Sequence, residues 1–285
     1  IDLSTQIHSE LDIELLKRTP SAFLGSCRFK LPEIHEDKAI YEKIFEILNR
    51  LDIDAFIYIG GNDSMDTIKK LSDYAILTGQ KQKFLGVPKT IDNDLALTDH
   101  TPGFGSAAKY IAASTKEVIR DAEGLTYKKN MITIMEIMGR NAGWLTGATA
   151  LSKSEDCEGP DLIYLPEVPF DIEKFLAKVK DLLKKKSSVV IAVSEGIKLA
   201  DGRYVCELGS SGDYVDAFGH KQLAGTATYL ANFLAAECGC KTRAVELSTL
   251  QRSASHMASR VDIDEAFMVG GAAVKAADEG DTGKM

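Results

Sequence analysis

The strongest chemical signal in the chain is a pair of carboxylates two residues apart beside a lysine, in the run Pro88-Lys89-Thr90-Ile91-Asp92-Asn93-Asp94. In an extended loop such carboxylates converge on one ligand, so one oxygen can hold Mg2+ while another deprotonates a hydroxyl, as phosphoryl transfer requires. A solvated acidic turn is the alternative, since Asp and Asn are common in loops. Upstream, Gly60-Gly61-Asn62-Asp63-Ser64 stands where a strand pattern gives way to a helix pattern. Two glycines there allow close approach of a ligand, and the helix start offers it unpaired N–H groups and a positive dipole end, an arrangement that holds phosphate. The other reading is a tight turn in which Ser64 caps the helix.

Three further clusters carry chemistry. Met138-Gly139-Arg140-Asn141-Ala142-Gly143 combines exposed backbone N–H groups with a guanidinium that can fork onto a phosphate. Ser194-Glu195-Gly196 supplies a carboxylate able to accept hydrogen bonds from sugar hydroxyls. Arg243 and the pair Gln251-Arg252 add guanidinium groups suited to an anionic ligand. Each of these also reads as a capped turn or a surface ion pair. Position favours the chemical reading: four of the five clusters fall just beyond the C-terminal end of a strand pattern, where open α/β sheets bind ligands.

The elements that must present these clusters alternate strand and helix patterns, which predicts βα units and parallel sheets. Strands are expected at 54–60, 83–87, 131–138, 162–165, 188–193 and 244–247, with helices at 64–78, 106–122, 171–186 and 218–237. Gly79 is the expected stop of the first of these helices. The helix at 106–122 is expected to link a first sheet to a second.

Composition narrows the partners. With 34 Lys plus Arg against 42 Asp plus Glu, the net charge is −8, which excludes a basic nucleic-acid arm, and the 45% apolar content suffices for a packed core. No apolar run approaches the roughly 18 residues of a membrane helix. The charged first twenty residues do not read as a signal peptide. Five cysteines at scattered spacings suit reduced thiols in a cytoplasm, and Cys238 and Cys240 read as packing residues rather than metal ligands.

The ordered set of these motifs closely resembles the phosphofructokinases, and the lysine in the second motif resembles the pyrophosphate-dependent branch. The resemblance runs from about Leu24 to Ala277, and its most specific part is Pro88–Asp94 together with Met138-Gly139-Arg140. It implies an α/β fold of two similar lobes with mainly parallel sheets and the active site in the cleft between them. The corresponding division is a donor-phosphate lobe over 1–105, a sugar-phosphate lobe over 106–255 and a helical return over 256–285. The implied reaction is Mg2+-dependent, reversible phosphoryl transfer from pyrophosphate to the 1-hydroxyl of fructose 6-phosphate. By the resemblance Asp92 is the base, Asp94 assists the metal or the transition state, and Lys89 joins them as a catalytic group. Thr90, Met138, Gly139, Arg140, Glu195 and Arg252 contact the sugar phosphate, and Arg243 reaches a neighbouring subunit's site in a homodimer or homotetramer. Arg28 with Gly60, Gly61, Asn62, Asp63 and Ser64 binds the donor phosphate, and Asp63 with Asp94 binds the metal. An ATP-dependent phosphofructokinase and a non-catalytic sugar-phosphate-binding chain are the alternatives.

Departures from the family pattern accompany the match. Nothing before Leu24 resembles the family's first strand and glycine-rich donor loop, so a chain truncated at the N-terminus, and also at the C-terminus, is expected. Asn62 stands where Asp is common, which puts direct metal coordination there in doubt. A customary arginine near Met131 and a histidine near Thr249 are missing.

Overall fold

The computed structural model describes residues 3–27, 29–125, 129–209 and 225–285. In chain order the main elements are α1 (Glu10–Lys17), α2 (Lys38–Arg50), β1 (Ala55–Gly60), α3 (Asn62–Thr78), β2 (Lys83–Pro88) and α4 (Phe104–Gly124). They continue with β3 (Met131–Ile137), α5 (Trp144–Ala148), β4 (Leu162–Tyr164), α6 (Ile172–Leu183) and β5 (Ser188–Ser194). The chain closes with α7 (Thr226–Cys238), β6 (Lys241–Glu246), α8 (Leu250–Ser253) and α9 (Arg260–Asp278).

The strands form a two-stranded sheet, β1-β2, and a four-stranded sheet in the order β4-β5-β3-β6. Every ladder between these strands is parallel. A parallel sheet covered by helices buries both faces of its central strands, and β3 shows the consequence: all seven residues of Met131–Ile137 are buried. Their side chains alternate, with Ile132 and Ile134 entering one apolar cluster under α6 and α7, and Met135 and Ile137 entering another under α4. Burying an Ile or Met side chain of this kind contributes about 1.5–3 kcal/mol. The smaller sheet rests on an aromatic core in which Tyr41, Phe45 and Tyr74 from α2 and α3 close around Phe84 of β2.

Helix boundaries follow local chemistry. Asp171 accepts hydrogen bonds from the N–H groups of Glu173 and Lys174 to start α6. At the end of α3, Gly79 takes the left-handed conformation (φ 68°), the stop expected of it. Several expected boundaries change. Helix α3 begins at Asn62 with Gly61 as its N-cap, two residues before Ser64, so Ser64 lies inside the first turn rather than capping it. Strand β6 starts at Lys241, earlier than 244, because its whole length pairs with β3. The expected helix at 218–237 is described as Thr226–Cys238, and its earlier part lies outside the described residues. Helices α1 and α2 add to the expected set; α1 buries none of its residues, so periodicity there has no core to report, whereas α2 buries Tyr41, Phe45 and Leu48.

Candidate active site

Strand register gathers the motifs. Gly60 pairs with Pro88 at the last rungs of β1 and β2, which lays Gly60–Ser64 beside Lys89–Asp94, and the Lys89 N–H donates to the Gly60 carbonyl at 3.0 Å. Asn62 then donates through Nδ2 to an Asp94 carboxylate oxygen at 3.2 Å. Asn62 is thus a neutral donor engaged with the second carboxylate. Ser64 turns back over Gly60, where an added Cβ would strike its Oγ, so that glycine leaves the room the turn needs.

The carboxylate loop is internally braced. Thr90 Oγ1 accepts from the Asp92 N–H at 3.1 Å and approaches its carboxylate at 3.4 Å. Asn93 adopts a left-handed backbone (φ 54°), a conformation Asn tolerates, and its side-chain oxygen accepts the buried Thr101 N–H at 2.9 Å. Asp94 is exposed, whereas Asp92 faces inward. Burial, then the neighbouring Asp94 charge, push the Asp92 carboxyl above its ordinary range, while Thr90, Lys89 and Arg140 pull it back.

The larger sheet supplies the opposing wall. Ile137 pairs with Ser194 at the ends of β3 and β5, so Met138–Arg140 runs beside Glu195. Glu195 Oε1 accepts the Gly139 N–H at 3.3 Å, and Ser194 Oγ donates to the Gly139 carbonyl at 2.5 Å. Met138 donates its N–H to Gln251 Oε1 at 3.2 Å, which fixes α8 and hence the exposed Arg252 next to this loop. The Glu195 carboxyl is pushed up to about 7, chiefly by burial; the Gly139 N–H lowers it, the Glu136 and Asp92 charges raise it, and Arg140 lowers it. The Arg140 charge lowers both the Asp92 and the Glu195 carboxyl.

Some expected members lie elsewhere. Arg243 sits three rungs before the end of β6, roughly 10 Å back along the strand, and pairs with Asp121 of α4 at 2.8 Å. It stands apart from this chain's loop cluster. Asp63 is exposed in the first turn of α3. Arg28 lies outside the described residues. One carboxylate escaped the motif reading. Glu136, buried near the end of β3, accepts the Ala227 N–H at 2.8 Å and so ties the start of α7 to the sugar-side loops. Burial, opposed by that N–H, pushes it up to about 7. A single acid within an otherwise apolar strand was the available signal.

A hard divalent cation fits this chemistry. The donors are carboxylate oxygens, and the charge crowding at Asp92 and Asp94 is what a cation would relieve. Among the described residues no group of three or more His, Cys, Asp or Glu could cage an ion by itself. The fit is therefore to a cation held by one or two carboxylates and completed by substrate oxygens and water.

A family model described as Phosphofructokinase matches residues 3–277, which also extends the likeness upstream of Leu24. The chain belongs to the phosphofructokinase family. A protein of Xanthomonas campestris pv. campestris (strain B100) named "Pyrophosphate--fructose 6-phosphate 1-phosphotransferase" is 43% identical over 278 residues, covering 98% of this chain and 66% of its own length. A protein of the same name from Halomonas elongata is 40% identical over 285 residues, covering 100% of this chain and 67% of its own length. The crystal structure of a pyrophosphate-dependent phosphofructokinase from Nitrosospira multiformis superimposes with a TM-score of 0.82 at 36% identity, over 98% of this chain and 64% of that one. The chain thus spans about two thirds of the length of these relatives. The phosphofructokinase fold with its parallel sheets is established by these matches. Among the described residues no helix is long and apolar enough to cross a membrane.

Proposed function

We propose that the protein transfers a phosphoryl group from pyrophosphate to the 1-hydroxyl of fructose 6-phosphate. The observation that carries this reading is the pairing of Gly60 with Pro88, which sets the Asp92–Asp94 loop against the glycine turn. The printed names of the relatives support it.

In this reading the glycine turn and the start of α3 receive the donor phosphates through Gly60, Gly61, Asn62, Asp63 and Ser64. Asp92 removes the proton of the attacking hydroxyl. A base with its pKa raised by burial is a stronger proton acceptor, and the cationic charge of Lys89 and Arg140 keeps it ionised. Thr90, Met138, Gly139, Arg140, Glu195 and Arg252 hold the sugar phosphate. Mg2+ held by Asp94 and Asp63 would neutralise charge on the transferring group. Most of the acceleration in such chemistry comes from positioning and charge neutralisation, so the roles can be spread over loops of two sheets. The smaller sheet then serves as the donor lobe and the larger as the sugar lobe, and Arg243 serves a neighbouring copy; a strictly monomeric active protein would remove that last role.

Donor choice tests the reading. By the family resemblance, Asp63 and Lys89 occupy positions where the ATP-using branch is expected to carry glycine. A carboxylate at the first would repel a nucleotide's α-phosphate, and an ammonium at the second offsets charge on compact pyrophosphate. In a coupled assay the wild type is expected to use pyrophosphate in both directions. Asp63→Gly should gain measurable ATP use, and Lys89→Gly should weaken turnover with pyrophosphate. A wild type preferring ATP at equal concentration, with Asp63→Gly silent, would overturn the donor assignment.

A pH dependence follows from Glu195. Its ionised form accepts hydroxyl hydrogens, and burial raises it to about 7, so the competent fraction grows as pH climbs through 7. The KM for fructose 6-phosphate is therefore expected to fall between pH 6 and pH 8, and Glu195→Gln should flatten that dependence. The same shift works against stability: the native state binds the proton more tightly than the unfolded chain. Stability falls as pH rises from the ordinary carboxylate value of 4.5 to about 7. An unchanged KM profile in Glu195→Gln would count against the contact.

A further inference from the structure

We infer that Asp262 of α9 is a positioning residue that holds the Asp92 loop in its working shape, an inference that rests on the function proposed above. Asp262 is buried and lies outside every motif. Its carboxylate spans the start of α4. Oδ1 accepts the Gly103 N–H at 2.8 Å, and Oδ2 accepts both the Ser106 N–H at 3.1 Å and the Ser106 Oγ–H at 2.5 Å. Ser106 Oγ in turn accepts the Ser259 N–H at 3.0 Å, closing the clasp onto the residue that precedes α9. Helix α4 has no side-chain N-cap of its own, since its cap position is Gly103. The cap comes instead from a residue 159 positions away in sequence.

What the clasp grips is the far end of the carboxylate loop. Gly103 forms a parallel bridge with Thr90, and the Thr90 N–H donates to the Pro102 carbonyl at 3.1 Å. Thr101 donates through Oγ1 to the Thr90 carbonyl at 2.6 Å and through its N–H to Asn93 Oδ1 at 2.9 Å. Thr90 carries the Asp92 N–H. The side-chain steps are hydrogen bonds between buried or half-buried groups, so displacement of residues 101–103 is passed to Asp92 rather than absorbed by solvent. Gly103 adds a steric condition: its φ of 107° suits glycine, and an added Cβ would press on Ile91 at 3.4 Å. Two outer contacts, His100 to Glu265 at 2.6 Å and Lys109 to the Ala258 carbonyl at 3.2 Å, follow the same path but are exposed. Solvent screens such exposed pairs, so the buried Asp262 clasp dominates.

The test compares wild type, Asp262→Asn, Asp262→Ala and His100→Ala in the full chain as it occurs. Asp262→Asn keeps an acceptor for Gly103 but turns an amide N–H2 toward the Ser106 N–H, so it loosens the clasp while preserving volume, and it remains informative if Asp262→Ala fails to fold. Displacing a catalytic group by about 1 Å can cost a hundredfold. For Asp262→Asn we expect kcat per folded molecule to fall about ten- to a hundredfold with the KM for fructose 6-phosphate within about threefold of wild type. Amide hydrogen exchange across 88–103 should quicken without substrate, and His100→Ala should match wild type in both readouts. A lowered melting temperature with unchanged kcat and unchanged exchange in 88–103 would reduce Asp262 to a stability residue and overturn the inference. A wild type that transfers no phosphoryl group from pyrophosphate would instead refute the proposed function. In that case the exchange measurement on unliganded protein still decides whether Asp262 orders the loop.

Discussion

Replacing Asp92 with Asn is expected to lower turnover by about 10²- to 10⁴-fold while leaving the affinity for fructose 6-phosphate close to wild type. The amide keeps the shape of the side chain and can still meet Thr90, whose hydroxyl lies 3.4 Å from the carboxylate. What it loses is the ability to take a proton. It also loses a negative charge in a buried site where Asp94 already repels it, so the variant should be no less stable than wild type and slightly more stable at neutral pH. The combination of a collapsed kcat and an intact fold distinguishes a base from a structural acid. Steady-state kinetics with pyrophosphate beside a thermal melt would decide it, and near-normal turnover would remove Asp92 from the role.

Gly196→Ala should have a large effect of a different kind, acting on substrate affinity through the sugar side. Just past β5 the Gly196 backbone approaches that of Arg140 so closely that an added Cβ would fall on the Arg140 carbonyl. The obstructing atoms are backbone, and the loop is pinned from the other side by Ser194 to Gly139 and Glu195 to Gly139. No rotamer change relieves the clash. Overpacking of this kind typically costs about 1–3 kcal/mol. The displaced element is the one carrying Arg140 and Glu195, so the KM for fructose 6-phosphate should rise at least about tenfold by analogy with the cost of small misplacements. Gly147→Ala in α5 is the control: beyond the helix's own backbone and the neighbouring residues nothing lies within 4 Å of the added carbon, and Ala favours the helix by about 0.5–1 kcal/mol. Equal behaviour of the two variants would refute the close-approach argument.

The sequence by itself determined the βα alternation, because the apolar runs of β3 and β5 and the stop at Gly79 are local properties read by periodicity and backbone freedom. It also determined the clusters at 60–64, 88–94, 138–143 and 194–196, since ligand loops follow strand ends and strand ends are legible. Tertiary structure alone decided which loops meet. Register joined Gly60 to Pro88 and Ile137 to Ser194, and a parallel pair sets its register across intervening helices that no local pattern encodes. It turned Asn62 toward Asp94 rather than leaving it as a weakened copy of an acidic ligand. It placed Arg243 beside Asp121, away from this chain's own cluster. Two supporting acids carried no motif: Glu136 lies in an apolar strand, and Asp262 in a C-terminal helix. Their significance lies in the N–H groups they accept, which come from Ala227 in one case and Gly103 and Ser106 in the other. Those donors are distant in the chain, and only burial makes leaving them unpaired costly enough to fix the arrangement.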